Sequence, residues 1–199
     1  MTTIVDLIRH GEPVGGRKYR GQIDDPLSDK GWRQMREAVA DHRPWQSILT
    51  SPLLRCSAFA QELAQRHHLP LHTDPRLQEI GFGEWEGRTA AEIKAGDSAI
   101  LQRFWHDPIT NRPQGAEPMQ AFYERVSAAW QDLLVHHAGQ HTLVVCHAGV
   151  IRMSLLHLLD IPLQHAFRIQ VGNASITRFE LEQSQDQWFP RLLFHGGHL

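Results

Sequence analysis

The run Ile4-Val5-Asp6-Leu7-Ile8 leads straight into Arg9-His10-Gly11-Glu12, and far downstream Leu143-Val144-Val145-Cys146 leads into His147-Ala148-Gly149. A third apolar stretch, Ser47-Ile48-Leu49-Thr50, ends in Ser51-Pro52-Leu53-Leu54-Arg55. Short apolar runs bounded by turn residues read as buried strands. Each of these three delivers a histidine or an arginine at its carboxyl end. Ligands of open α/β sheets bind in the crevice outside those ends. The pattern predicts two imidazoles and two guanidinium groups at one sheet edge, a set suited to a phosphate dianion.

Outward from these runs, strand and helix signals alternate. Residues 10–27, rich in Gly, Pro and Asp, read as a loop. Ser28 caps a helix with Trp32, Met35 and Val39 on one face. Pro52 opens a second helix through about residue 66, and residues 69–73 are extended. Residues 76–88, with Gly81, Gly83 and Gly87, form a loop, and 89–107 form short helices. A longer helix covers about 117–137, a strand 142–146 and a helix 149–159. The tail reads as strands at 167–171, 175–181 and 189–194. Such alternation predicts an α/β fold, a three-layer αβα sandwich with a mainly parallel sheet. One domain over 1–199 is expected, with a helical flap at about 76–118. Asp6 inside the first strand has no explanation at this level.

Composition narrows the function classes. An apolar fraction of 41% suits a globular chain. A net charge of −2 with no clustered basic tract argues against nucleic acid or membrane as partner. No apolar run reaches membrane-spanning length and no leader is visible, so the cytoplasm is expected. Two cysteines, Cys56 and Cys146, make no disulfide framework. The pairs His67-His68 and His136-His137 sit near helix ends, where cations suit the dipole. They lack metal-site spacing, so no metal and no cofactor are expected. No phosphate-binding Gly-x-x-x-x-Gly-Lys-Ser/Thr loop occurs. Trp32, Trp45 and Trp130 read as packing residues, while Trp85 and Trp105 fit either packing or a pocket mouth.

Arg9-His10-Gly11, the Arg55 segment, Leu77-Gln78-Glu79-Ile80-Gly81-Phe82-Gly83-Glu84-Trp85-Glu86-Gly87 and His147-Ala148-Gly149 stand in the order used by the histidine phosphatase, or phosphoglycerate mutase-like, superfamily. The chain resembles that superfamily over nearly its whole length. The resemblance implies phosphoryl transfer through a phosphohistidine. It makes His10 the nucleophile and Glu79 the proton donor, with Arg9, Arg55 and His147 holding the phosphoryl group. Gly21 and Gln22, in the loop Tyr19–Ser28, and Ala148 are further candidate substrate contacts.

The chemistry of these residues fits on its own terms. Arginine's planar fork pairs with phosphate oxygens without losing charge. Transition-state charge spreads over the equatorial oxygens, where such donors act. Neighbouring cations also keep the attacking imidazole neutral. A carboxyl group in a Gly-rich loop at the sheet edge supplies the proton that a departing alkoxide needs. Glu12 is a rival auxiliary acid. Glu84 and Glu86 are expected to fix the loop, through Arg88.

Two departures from the superfamily's usual first motif stand out: Pro13 and Gly16 replace a threonine and an asparagine. Backbone N–H groups near Gly15, Gly16 or Gly21 are the expected substitutes. Arg17, Lys18 and Arg20 read as a solvated loop. The inserted basic segment of the mutases is not found, which favours hydrolysis. The Arg-His-Gly-Glu-Pro start and the Gly-Gln-x-Asp-Asp-Pro-Leu-Ser loop are most similar to the α-ribazole phosphatase branch of cobalamin nucleotide-loop assembly. The expected partner is a small-molecule phosphate ester, with a homodimer left open. The alternatives are a mutase, a sugar-phosphate phosphatase, and a non-catalytic scaffold that binds phosphate.

Overall fold

The computed structural model describes residues 1–185 and 187–197. Its six strands are β1 (Thr2–Arg9), β2 (Ser47–Thr50), β3 (Leu71–Thr73), β4 (His141–Cys146), β5 (Ile176–Ser184) and β6 (Gln187–Gly197). They form one sheet in the order β3-β2-β4-β1-β5-β6. The first four in that order run parallel, and β5 and β6 are antiparallel additions. The sheet is therefore mainly parallel, as the sequence predicts.

Register positions the site. Arg9 pairs with Cys146 across β1 and β4, so His10 and His147 leave adjacent parallel strands side by side. Thr50 pairs with Val145 across β2 and β4, which brings Ser51 to the same edge. Alternation along each strand splits the core between two faces. Val5, Leu7, Val144 and Cys146 pack with α5 (Met119–His136) and α6 (Ala148–Leu158). Ile8, Ile48, Leu143 and Val145 pack with α1 (Asp29–Val39) and α2 (Leu54–His67). Three layers result.

Local signals explain several boundaries. The Ser28 hydroxyl accepts the Gly31 N–H at 3.0 Å and starts α1, with Met35 and Val39 buried beneath. Helix α2 starts at Leu54 rather than Pro52, because the Ser51 hydroxyl first accepts the Leu53 N–H and holds a turn there. Asp6, unexplained by sequence, is fully buried and accepts from Trp45 Nε1 at 2.8 Å, His141 Nε2 at 2.9 Å and Arg178 Nε at 2.7 Å. Burial alone would raise its pKa, but Arg178, His141 and Trp45 together hold the carboxyl below its ordinary value.

The strand expected at 167–171 is absent. That stretch lies in and beyond a 3₁₀ helix, Leu163–Arg168, whose first residue follows Pro162. Both edges of β1 are already taken by β4 and β5. The Phe167 ring turns inward instead, 4.7 Å from Phe104. Phe104 belongs to α4 (Ile100–His106), which with α3 (Ala90–Lys94) and two single 3₁₀ turns supplies the helical structure of the segment read as a flap, the rest of it being loop. A small separate core of Trp85, Ile93, Leu101 and Phe104 holds it together. Trp85 is buried there as a packing residue and Trp105 is exposed.

Candidate active site

His10 sits just past β1 with 6% of its surface exposed. Its Nδ1 lies 2.7 Å from the Gly11 carbonyl oxygen. A carbonyl only accepts, so this network assigns the proton to Nδ1 and leaves the lone pair on Nε2. Burial first, then Arg9 and Arg55, drives the His10 pKa well below the usual histidine value. Desolvation thus outweighs the neighbouring cations that the sequence points to. The ring is neutral at pH 7 and nucleophilic at Nε2.

His147 stands 5.2 Å away between ring centroids, with the planes at 64°. It is fully buried, and its Nε2 shares a 2.7 Å hydrogen bond with the Ser51 hydroxyl. Burial, followed by Arg55 and His10, pushes its pKa down as well. It therefore acts as a neutral imidazole before substrate arrives. Ala148, buried beside it, is the first residue of α6.

The two guanidinium groups are fixed by carbonyls. Arg9 Nη1 donates to Val171 O at 2.7 Å; Arg55 donates from Nη2 to Gly21 O at 2.6 Å and from Nη1 to Ile23 O at 2.7 Å. The Nε atoms of both arginines are buried and make no hydrogen bond to a protein group among the described residues. Burial lowers the Arg9 pKa to about 10, so the group stays charged at neutral pH. Arg55 can reach Gly21 because the turn there has φ +52°, and any Cβ would strike the Glu86 carboxylate and Ile80 carbonyl. Glu86 in turn accepts the N–H groups of Gln22, Ile23 and Phe82. It fixes the loop as expected, but without Arg88, which donates to Glu92 O. The Gln22 side chain is exposed, and its amide lies 3.5 Å from the Glu79 carbonyl.

Glu79 is half-buried. Its Oε2 accepts the Gly149 N–H of α6 at 3.1 Å, and Oε1 accepts its neighbour Ile80 N–H at 3.1 Å. A Cβ on residue 149 would occupy the place of that carboxylate, so the glycine fits the acid closely. Glu12 is instead paired with Lys30 at 2.9 Å, and Glu84 is exposed. Arg20, read as part of a solvated loop, is buried and paired with Asp25 at 2.8 Å.

This edge of the sheet gathers a neutral imidazole with a free Nε2, a second imidazole and guanidinium donors, with a carboxyl group at the start of α6. The family model for the histidine phosphatase superfamily (branch 1) matches residues 5–191. The chain belongs to the histidine phosphatase superfamily. The match takes in every candidate residue named above, and the chain is a phosphatase of that superfamily. It is 32% identical over 174 residues to the adenosylcobalamin/alpha-ribazole phosphatase of Salmonella typhimurium, covering 83% of this chain and 85% of the relative. It is 28% identical over 188 residues to phosphoserine phosphatase 1 of Hydrogenobacter thermophilus, covering 90% and 87%. Matches of similar identity carry phosphoglycerate mutase names. Among solved structures, a mycobacterial glucosyl-3-phosphoglycerate phosphatase superposes with a TM-score of 0.86 at 26% identity, covering 98% of this chain and 99% of that one.

Sequence reasoning missed several members of this histidine phosphatase site. Arg125 donates to the Arg76, Gln78 and Glu79 carbonyls at 2.6, 2.8 and 3.1 Å and is held by Glu117 at 2.7 Å. It thereby clamps the loop carrying Glu79. Its signal was a charge set between Phe122 and Val126 on the apolar stripe of α5. Ser51 gave no signal beyond its place at a strand end. Arg152 lines a pocket on the Glu79 side, together with Phe82, Met119, Phe122, Met153 and Phe167.

Proposed function

We propose that the chain hydrolyses phosphate monoesters through a phosphohistidine on His10. The observation that carries this reading is the Nδ1–H to Gly11 O bond, which leaves Nε2 of a neutral ring free beside carbonyl-anchored guanidinium groups. His10 Nε2 attacks phosphorus in line, and the ester P–O bond breaks as the P–N bond forms. Arg9, Arg55 and His147 donate to the equatorial oxygens; each such donor is worth about 10²–10³ in rate. Glu79 gives its proton to the departing alkoxide. In the second step Glu79 takes a proton from water, the resulting oxygen attacks phosphorus, and the P–N bond breaks to release inorganic phosphate and restore His10. Acid–base help of this kind contributes about 10²–10⁴.

Rapid quenching with a labelled phosphate ester tests the first step. Acid-labile label is expected on the wild type and none on His10→Ala; equal labelling of both overturns the mechanism.

The finer reading is α-ribazole 5′-phosphate as substrate. Two things support it: the motif likeness to that branch and the 32% identity to the Salmonella relative. A second reading, a phosphorylated hydroxy acid, is favoured by Arg152 in the pocket beside Glu79. Ranking α-ribazole 5′-phosphate, phosphoserine and 3-phosphoglycerate by kcat/KM separates the two. Product analysis with 3-phosphoglycerate separates hydrolysis from mutation. Retained phosphate binding with zero turnover of every ester would leave only the scaffold reading.

A further inference from the structure

Two imidazoles meet at this sheet edge, 5.2 Å apart between ring centroids, and only one can be the nucleophile. His10 and His147 follow paired strands, both are buried, and burial pushes both pKa values down. A neutral imidazole carries one N–H and one lone pair, so what each nitrogen meets decides its role. His10 has its proton on Nδ1, toward the Gly11 carbonyl.

His147 differs at Nε2, where the Ser51 hydroxyl stands at 2.7 Å. Ser51 follows β2, and its own N–H donates to Val145 O of β4 at 3.0 Å, which draws the two strand ends together. Its hydroxyl oxygen already accepts the Leu53 N–H at 3.3 Å, in the turn before α2. The O–H remains to be placed. Ser51 is fully buried, and among the described residues His147 Nε2 is the one acceptor within hydrogen-bond reach of its hydroxyl. A buried hydroxyl proton without an acceptor is costly. The network therefore points that proton at Nε2, which then holds the lone pair, and puts the ring proton on Nδ1. Cys56 does not compete for Nε2, because its S–H is directed at Cys146 O at 3.4 Å. Its sulfur, 3.8 Å from Nδ1, is only a weak acceptor for the ring proton.

We infer that Ser51 is a positioning residue: by donating to Nε2 it holds His147 as a hydrogen-bond donor through Nδ1 and removes it as a rival nucleophile to His10. The two rings thus share a tautomer and differ in what stands at Nε2. A carbonyl sets one ring, a hydroxyl the other. The inference rests on the phosphohistidine mechanism proposed above, in which His147 donates to the phosphoryl group.

The test reads the tautomer directly. Nitrogen–proton NMR correlation of the histidine rings at pH 7 should find His147 of the wild type protonated on Nδ1 and bare at Nε2. In S51A the proton moves, wholly or in part, to Nε2, whereas S51T keeps the hydroxyl and the wild-type tautomer. Kinetics on p-nitrophenyl phosphate then separate orientation of His147 from simple support of the turn before α2. H147A loses a donor worth about 10²–10³ in rate. S51A alone lowers kcat by about 10-fold, the size of one net hydrogen bond, with KM little changed. In the H147A background the same substitution changes kcat by less than about twofold, because the group it acts through is gone. A purely structural Ser51 would cost as much in both backgrounds and leave the tautomer alone. A protonated Nε2 in the wild type, an unmoved tautomer in S51A, or equal losses in both backgrounds overturns the inference. The wild-type spectrum needs no substitution, so it decides the matter even where a variant fails to fold. Capture of acid-labile phosphate on His10 in the same wild-type protein keeps the two readings apart. Labelled His10 with any of those three results defeats the Ser51 inference alone; unlabelled protein defeats the mechanism beneath it.

Discussion

The two halves of β1 treat charge in opposite ways. In mid-strand, Asp6 is surrounded by Trp45, His141 and Arg178, and every strong donor aimed at it is used. Three residues on, Arg9 and His10 open onto carbonyls and, among the described residues, leave Nε of Arg9 and Nε2 of His10 unengaged by protein groups. A closed polar cluster fixes the sheet. An open one, with donors and a lone pair pre-aimed, waits for an incoming anion. Burial alone does not tell them apart, since both lie mostly out of water; the count of satisfied partners does.

The contrast breaks most visibly at the acid. Glu79→Gln is expected to lower kcat/KM for an alkyl phosphate by about 10²–10⁴. p-Nitrophenyl phosphate, whose phenolate leaves unaided, should lose far less. Steady-state kinetics on the two esters checks this, and equal losses would remove Glu79 from the role of proton donor.

At the closed end, Asp6→Asn leaves Arg178 without its anion inside the sheet. The expected cost is about 3–5 kcal/mol of stability in urea unfolding at pH 7. Activity of the protein that remains folded should stay within about twofold. The linkage has a definite sign. Asp6 has a lowered folded pKa, so its contribution is present above the unfolded value of about 3.9 and is lost as pH falls through the folded one. A large loss of kcat/KM in folded Asp6→Asn would show that the two ends are one unit.

The smallest effect is a titration. His10 and His147 have depressed pKa values, for which burial is the main cause in each. Histidine NMR should find both rings neutral at pH 6. Below about 6.5 the unfolded chain takes up protons that these two native rings refuse, so their share of stability falls as the solution is acidified. A midpoint near 6.5 for either ring would contradict the buried, cation-flanked geometry.

Much of this was legible from the chain alone because chemistry and fold coincide at strand ends. His10, Arg55 and His147 each follow an apolar run within a few residues, so local reading placed them at one edge. Glu79 sat in a glycine-rich loop that carries its own motif. Arg125 and Arg152 were hidden because their meaning lies in distant carbonyls, those of residues 76–79 and 169. Asp6 looked anomalous for the same reason: two of its partners, Trp45 and Arg178, lie 39 and 172 residues away. The strand misread at 167–171 shows the converse. Its apolar residues serve side-chain packing against α4 and α6, which local periodicity does not distinguish from pairing in a sheet.

Gly149 shows how an enzyme can be constrained by something with no functional group. Behind the Glu79 carboxylate stands a Cα hydrogen, and one added methyl would claim the oxygen's own volume. Mutational drift at this codon is therefore barred by bulk rather than by reactivity. An inhibitor designed against the site would meet a wall there that the target cannot rebuild without displacing its own acid.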